Sequence, residues 1–433
     1  MVKMVIAGGG WAGTGAAVAA AQAGAEVILL ERTDMLLGTG LVGGIMRNNG
    51  RFTATEEAIC MGMGDVFNVV EMSARHKNVA FPGHKHATLY DVAGIEPNIK
   101  DMLLKKRVDI KTRSRVKDVV VEENRIAAVV LDSGEKIEGD VFVDATGSAG
   151  PMGNCTKLGN GCAMCILRCL TFGGRVSLAA QAGVKEYVGR KADGSPGAMS
   201  GSCKLHKESL DKNIVEQLEQ KGVAVIPVPE NLRKGNDILS KKACQQYALA
   251  EFAENIILLD TGHAKLMSPT YPLDMLRQVP GFANARFEDP YAGGVGNSIR
   301  YLAISPRDNA LKVEGLSNLF CAGEKAGPMV GHTEAIVTGA LAGHNAVRFG
   351  VGQALLEIPA TLAIGDYIAY ANEQVRAGDG LEHKFTFSGS VYFKRMVEKN
   401  LYTTDVAAIR DRVEEAGMAR VYARPLVTKS LAI

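Results

Sequence analysis

Apolar positions along this chain fall into short unbroken runs separated by glycine turns. Val5-Ile6-Ala7 and Val27-Ile28-Leu29-Leu30 are such runs, the pattern of parallel strands covered on both faces. Between them residues 12–23 are alanine-rich, which favours helix. Residues 1–32 therefore predict strand, glycine turn, helix, strand. Residues 36–50, LLGTGLVGGIMRNNG, predict a glycine-rich loop, and residues 97–106 a helix. Strand patterns then cluster at 108–111, 116–121 and 125–131, with polar turns at Glu122-Glu123-Asn124 and Asp132-Ser133-Gly134. Residues 141–145 form another buried run, ending in Ala-Thr-Gly. Residues 150–204, rich in Gly, Cys and Ser, read as irregular. Residues 205–290 mix a helix over 205–221 with strands over 223–228 and 256–259. Residues 320–322 read as a strand leading to a helix that ends near Phe349, and residues 351–433 read as helical.

The alternation predicts an α/β protein. A Rossmann-type nucleotide-binding domain is expected from residues 1–150. An inserted α+β substrate domain with a Cys-rich segment covers 151–300, and a helical C-terminal region covers 351–433. With 433 residues the chain is long enough for this division. It is 47% hydrophobic and 22% charged, with a formal net charge of +2, so bulk charge gives no sign of a polyanionic partner. MVKMVIA enters a strand directly and no apolar run is long enough to span a bilayer. The expectation is a cytoplasmic protein without a membrane partner, whose eight cysteines are thiols, ligands or redox groups rather than disulfides.

Gly8-x-Gly10-x-x-Gly13 follows a strand and opens a helix. Gly8 permits the tight turn, Gly10 lets backbone N–H groups approach a pyrophosphate, and Gly13 lets helix pack on strand. The helix N-terminus then presents its positive end to phosphate. Glu31 closes the second strand, where a carboxylate accepts hydrogen bonds from a ribose diol and disfavours a 2′-phosphate.

VFVDATGSAG (141–150) and NLFCAGEKAG (318–327) resemble later elements of the FAD-binding flavoprotein superfamily, which implies that residues 301–350 complete the FAD-binding domain begun by residues 1–150. No second strand–GxGxxG–helix unit is present, so a separate nicotinamide domain is not expected. Residues 272–287, PLDMLRQVPGFANARF, and 305–348, from SPRDNALKV to GHNAVR, are similar to the tRNA-uridine-modifying flavoproteins. These are the folate-dependent tRNA uridine-5-methyltransferase and its carboxymethylaminomethyl-uridine relative. The resemblance implies FAD held by Gly8, Gly10, Trp11, Ala12 and Gly13 in the first turn, and by Glu31 and Arg32 after the second strand. Gly40 and Val42 in the loop, Val116, and Ala145-Thr146-Gly147 complete the N-terminal part. Gly323 and Glu324 would lie by the pyrophosphate and ribityl, with Thr333 and Ala335 on the helix aimed at the flavin pyrimidine ring. A helix N-terminus there stabilises the charge of reduced flavin. The methyltransferase branch carries a catalytic cysteine in the loop after the second strand. Here the comparable stretch, GLVGGIMRNNG, has none, and Cys60 comes later. The reading is an FAD-dependent oxidoreductase acting on a small molecule or a redox partner protein, with a homo-oligomer as the expected assembly. RNA-uridine modification and an electron-transfer subunit are the alternatives.

Cys155, Cys162, Cys165 and Cys169 lie within fifteen residues. Cys162, Cys165 and Cys169 share one face of a helix and read as a buried stripe, while the four together read as ligands of a [4Fe–4S] cluster, with a Cys162–Cys165 dithiol or a zinc site as further readings. Cys203 is an alternative ligand, whereas Cys244 and Cys321 read as core. His332 and Glu334 are the candidate catalytic residues at the flavin edge. Arg300 and Arg307 read as surface arginines or as contacts to an acidic substrate. His84 and His86 read as surface, and the aromatic and basic stretch 381–400 as an interface or core helix.

Overall fold

The computed structural model describes residues 1–147, 173–190, 203–233, 249–267, 271–288 and 303–427, with residues 194, 196, 198–200 and 298–300. The chain begins Lys3–Ala7 (β1), Trp11–Gln22 (α1), Glu26–Leu30 (β2), Gly40–Gly43 (α2), Ile45–Met46 (β3), Gly50–Ala58 (α3) and Gly64–Met72 (α4). It continues Ala74–Phe81 (β4), His84–Tyr90 (β5), Ile95–Lys105 (α5), Asp109–Lys111 (β6), Val116–Glu122 (β7), Arg125–Leu131 (β8), Lys136–Glu138 (β9) and Val141–Asp144 (β10). Then follow Cys203–Leu205 (β11), Lys212–Lys221 (α6), Val223–Pro227 (β12), Asn255–Asp260 (β13), Ala264–Leu266 (β14) and Leu319–Cys321 (β15). Helices His332–Gly350 (α7), Ala363–Ala377 (α8), Ser390–Glu398 (α9) and Val406–Glu415 (α10) complete it.

The apolar runs form a parallel sheet in the order β15-β10-β1-β2-β6. Val5 pairs with both Phe142 and Ile28, and Val143 with Phe320. The order reverses at β1, and such switch points in doubly wound sheets open a crevice at the strand C-termini. An antiparallel sheet, β7-β8-β9, packs on the same core through Ile126, Val129, Leu131 and Ile137.

Helices α1 and α7 cross at backbone distance. A Cβ on Gly339 would lie 2.0 Å from the Ala12 carbonyl oxygen, and one on Gly343 2.3 Å from that of Ala16. A Cβ on Gly15 would meet the Ile336 carbonyl at 2.5 Å. Ala12 and then Ala16 meet Gly339 and then Gly343, so the helices run parallel and their N-termini lie at one end.

The inserted segment builds a second sheet, β11-β14-β13-β12. Strand β13 is buried on both faces. Ile256 and Leu258 enter a core with Leu205, Ile214, Leu218 and Phe282, while Ile257 and Leu259 enter another with Ile45, Val79, Phe81 and Leu89. The second core joins this sheet to the sheet β3-β5-β4. The junction carries a charge cluster around the buried Asp260. Its carboxylate accepts from Arg75 Nε at 3.0 Å and Lys207 Nζ at 2.6 Å and meets His76 Nε2 at 2.9 Å.

Several expectations differ from what the chain does. The loop 36–50 contains α2 and β3. The helix expected over 205–221 starts only at Lys212, because Cys203 and Leu205 alternate inward and pair with Leu266 and Ala264. Helices α3 and α4 join through a π-helical turn, Ile59–Met63, where Gly62 has φ +112° and packs against the Ala423 backbone. His84 is buried, stacked on Phe81 with Asn48 at 2.9 Å from its Nδ1. Arg307 is buried too, and donates to the carbonyls of Ala326, Asp308 and Ile368. It is a structural crosslink, not a surface arginine or a substrate contact. Residues 390–398 form helix α9, which buries Tyr392 and Met396.

Two outcomes follow from these contacts. Alanine normally gains about 1 kcal/mol over glycine inside a helix, but Gly343→Ala should destabilise the protein by about 1–3 kcal/mol, because the Ala16 backbone cannot give way. Urea unfolding reads the sign, and a gain in stability would contradict the close crossing. Burial opposes the charge on Asp260, yet Lys207, His76 and Arg75 hold its pKa below the ordinary carboxylate value. The stability this supplies is present above the unfolded carboxylate pKa, about 3.9, and is lost as pH falls through the lower folded value. Asp260→Asn should therefore cost about 2 kcal/mol at neutral pH, with the gap from wild type closing in acid, as measured by thermal unfolding across pH.

Candidate active site

The nucleotide turn is built by three glycines in different ways. Gly8 has φ +104°, and a Cβ there would lie 2.4 Å from the Ala145 carbonyl oxygen, so the turn presses on the end of β10. A Cβ on Gly13 would lie 1.9 Å from the Gly8 carbonyl oxygen. Gly10 faces open space, with nothing within 4 Å of a Cβ built there. It caps α1, which has no side-chain cap and no acid in its first turn. The first N–H groups of the helix, with the positive end of its dipole, thus open onto a cradle suited to an anion.

Glu31 is buried at the mouth of β2. Its Oε2 accepts from the Gly9 N–H at 2.8 Å and its Oε1 from the Thr33 N–H at 2.9 Å. Each oxygen keeps a lone pair, so the carboxylate can still accept from a diol. A pocket beside it is lined by Glu31, Arg32, Arg115, Val116, Thr146 and Arg175 among others. Arg32 donates to the Gly173 carbonyl and Arg115 to that of Gly174. Arg175 Nε and Nη1 are buried with no hydrogen-bond partner among the described residues. Asp144 orders the Ala145-Thr146-Gly147 turn, accepting from the Thr146 hydroxyl at 2.6 Å and, through its other oxygen, from the Leu178 N–H at 2.9 Å. Lys325 lies beneath, wholly buried, and donates to Ser177 Oγ, the Ala303 carbonyl and Glu186. Burial pushes its pKa below the usual lysine value.

Gly323 joins this side to α7. Its N–H donates to Thr338 Oγ1 at 2.9 Å, and a Cβ on it would lie 3.0 Å from that of Ala12. Glu324 follows, half-buried. Helix α7 begins after Gly331, φ +148°, also without a side-chain cap. His332 and Ala335 are half-buried in its first turn, whereas the Thr333 hydroxyl is buried without a partner among the described residues.

Trp11, Tyr90 and His332 form an aromatic group, with ring centroids 5.9–6.1 Å apart. The Tyr90 hydroxyl donates to the Gly40 carbonyl at 2.6 Å and lies 3.1 Å from His332 Nδ1. Gly43 packs directly on the His332 ring, leaving no room for a Cβ. From the inserted sheet, Lys265 Nζ donates to the Val42 carbonyl at 2.7 Å and Lys204 Nζ to that of Leu41 at 3.4 Å. The loop carrying Gly40 and Val42 is thus held by residues far away in sequence.

Glu334 has a different setting. Arg51 Nε lies 3.0 Å from both its oxygens, and Thr386 Oγ1 and the Phe387 N–H donate to its Oε1 at 2.7 and 2.9 Å. Arg51 also donates to Asn48 Oδ1 at 3.1 Å. The pair is buried and ties α3, α7 and residues 386–387 together.

The structure therefore brings the first turn, Glu31, Arg32, Val116 and Thr146 around one pocket. Gly323 packs on Ala12 beside that turn, and Glu324 and the start of α7 follow it. Sequence reasoning missed Tyr90, Arg51, Lys204 and Lys265. None sits in a local motif, and alternation in HKHATLY sets Tyr90 on the face opposite Ala87 and Leu89, so nothing local marks it as part of the site. Cys155, Cys162, Cys165 and Cys169 lie outside the described residues. Among the described residues, no group of three or more His, Cys, Asp or Glu is placed to hold a metal.

The open cradle at Gly10, the Glu31 carboxylate and the unpartnered Thr333 hydroxyl at a second uncapped helix fit a dinucleotide cofactor of FAD type. Residues 3–152 match the family model described as FAD dependent oxidoreductase. Residues 254–353 match that of glucose inhibited division protein A. Among solved structures, two crystal forms of Aquifex aeolicus GidA share the fold, each with a TM-score of 0.65. At 16% and 15% identity they cover 99% of this chain and 74% and 76% of theirs. The chain is thus similar to the FAD-dependent oxidoreductases over its first part and to glucose inhibited division protein A over residues 254–353, and it shares the fold of GidA.

Proposed function

We propose that the protein moves a hydride between bound FAD and a small polar substrate, in a site roofed by the inserted sheet. The observation that carries this reading is the parallel crossing of α1 and α7, which sets two uncapped helix N-termini side by side. The first suits the pyrophosphate of a dinucleotide. The second suits the negative charge that a flavin ring gains on reduction. Flavin supplies the hydride chemistry; the protein supplies binding, orientation and electrostatics. Gly8, Gly10 and Gly13 admit the phosphates, Glu31 accepts from the ribose, and Gly323 with Thr333 flanks the far end. His332 is the proton-handling group beside the substrate. Glu334, neutralised by Arg51, acts here as a positioning residue for the first turn of α7.

Methylation of a uridine through a cysteine adduct has little support. Such chemistry needs a thiolate near the flavin loop. The cysteines among the described residues are Cys60, Cys203 and Cys321. Cys321 lies inside the parallel sheet, where burial pushes its pKa to about 12, and Cys60 is also held above its usual value by burial.

Purified protein should carry the absorption of oxidised flavin, released as FAD on denaturation. Iron and sulfide assays on the same sample separate a flavin-only enzyme from a relay with about four irons per chain on the cysteines of 155–169. Glu31→Arg should lose FAD by roughly a hundredfold in affinity, since it removes an acceptor and forfeits its two backbone hydrogen bonds. FAD titration by fluorescence quenching reads this, and unchanged affinity would remove Glu31 from the site.

A further inference from the structure

The chain is pinned on both sides of Arg175. Before it, Arg32 donates to the Gly173 carbonyl and Arg115 Nε to that of Gly174 at 2.7 Å. After it, Asp144 accepts from the Ser177 hydroxyl at 3.2 Å and from the Leu178 N–H at 2.9 Å. The backbone thus fixes where Arg175 enters the pocket it shares with Gly8, Glu31 and Thr146. The guanidinium itself takes no part in this. Its Nε and Nη1 are buried and have no hydrogen-bond partner among the described residues. A guanidinium keeps its charge across the working pH range, and burying a charge without a partner is costly. A fold tolerates that cost where an anion from outside the chain completes the site. We propose that Arg175 is a cofactor-binding residue that clamps the phosphate next to the ribose from which Glu31 accepts.

The charges around the pocket support this assignment. Among the described residues that line it, Arg32, Arg115 and Arg175 face a single carboxylate, Glu31. Arg115 is matched by Asp132 at 2.7 Å. Arg32 donates to a neutral carbonyl, and Glu31 already accepts from two backbone N–H groups. The pocket therefore carries an excess of positive charge. Helix α1 offers an anion only backbone N–H groups, because its sequence WAGTGAAVAAAQ holds no cation. Arg175 supplies the full charge that the helix lacks, on a planar group whose donors match phosphate oxygens. In a nucleotide the ribose diol and the 5′-phosphate belong to one sugar. A pocket lined by both Glu31 and Arg175 suits the two ends of one mononucleotide. Burial lowers the pKa of Lys325, Asp144 opposes this, and the charge of Arg175 lowers it further, so an anion on Arg175 relieves that buried cation as well. This inference rests on the dinucleotide reading of the site.

The test is calorimetric titration of the full chain, freed of bound flavin, with AMP and with adenosine. Wild type should bind AMP more tightly than adenosine. Arg175→Met removes the charge and keeps an unbranched stem; it should weaken AMP roughly ten- to a hundredfold and adenosine less than about twofold. Arg175→Lys should recover part of the preference. Without ligand, Arg175→Met should unfold at a higher urea concentration than wild type, since an uncompensated buried charge is gone, whereas loss of a structural arginine gives the opposite sign. An unchanged AMP-to-adenosine ratio in Arg175→Met overturns the proposal, and so does a ligand-free variant less stable than wild type. A chain that binds no FAD but shows the Arg175-dependent preference for AMP loses the proposed function and keeps the clamp. Equal FAD affinity in Arg175→Met and wild type, with an unchanged ratio, does the reverse.

Discussion

Everything in the site depends on how closely two helices can approach. Helices α1 and α7 meet through Gly15, Gly339 and Gly343, with each glycine facing a carbonyl of the other helix. No side chain separates them. The crossing carries much of the main core, with Ala12, Ala16, Ile336, Ala340 and Val347 all buried around it. Because the helices run parallel, their positive ends add at one edge of the sheet rather than cancel. Gly323 is drawn to the same point, close to the Cβ atoms of Ala12 and Ala335. A cofactor that joins a diphosphate to a ring able to become anionic matches that field along its whole length.

A field of this kind attracts acids, and the fold has dealt with the nearest one. Glu334 lies in the first turn of α7, where it would compete with a bound anion. Arg51 faces it, and Thr386 and the Phe387 N–H satisfy one oxygen. A buried pair is costly to desolvate and is tolerated only when its remaining hydrogen bonds are met. Here they are, and the arrangement also fastens the C-terminal region to the nucleotide-binding part. Glu57 does similar work nearby. Its carboxyl accepts from the Ala363 and Ile364 N–H groups at the start of α8, and burial raises its pKa to about 7.

The inserted sheet is fastened to the loop of Gly40 and Val42 rather than standing apart as an appendage. Strand β13 divides its side chains between two cores, one under α6 and one under the sheet β3-β5-β4. That shared strand lets Lys265, on neighbouring β14, reach the Val42 carbonyl. It also keeps β5, and with it Tyr90, at a fixed distance from His332. The loop carrying Gly40 and Val42 is thus positioned by a sheet whose strands run from Cys203 to Leu266.

The sequence alone determined the parallel strands, the turn at Gly8, Gly10 and Gly13, and the acid at Glu31. Each is written in a few neighbouring residues, because strand burial and a glycine turn are local demands on the backbone. The resemblance of NLFCAGEKAG to flavoprotein elements also implied that residues 320–349 belong with the N-terminal strands, and β15 does pair with β10. The sequence could not show that His84 and Arg307 are buried, since a polar residue enters a core only when distant partners satisfy it. Nor could it show that Glu334 is held by Arg51, that Tyr90 meets His332, or that Lys265 reaches Val42. The elements that form those contacts are far apart in the chain, and only the packing of the inserted sheet against the nucleotide-binding part brings them within hydrogen-bonding distance.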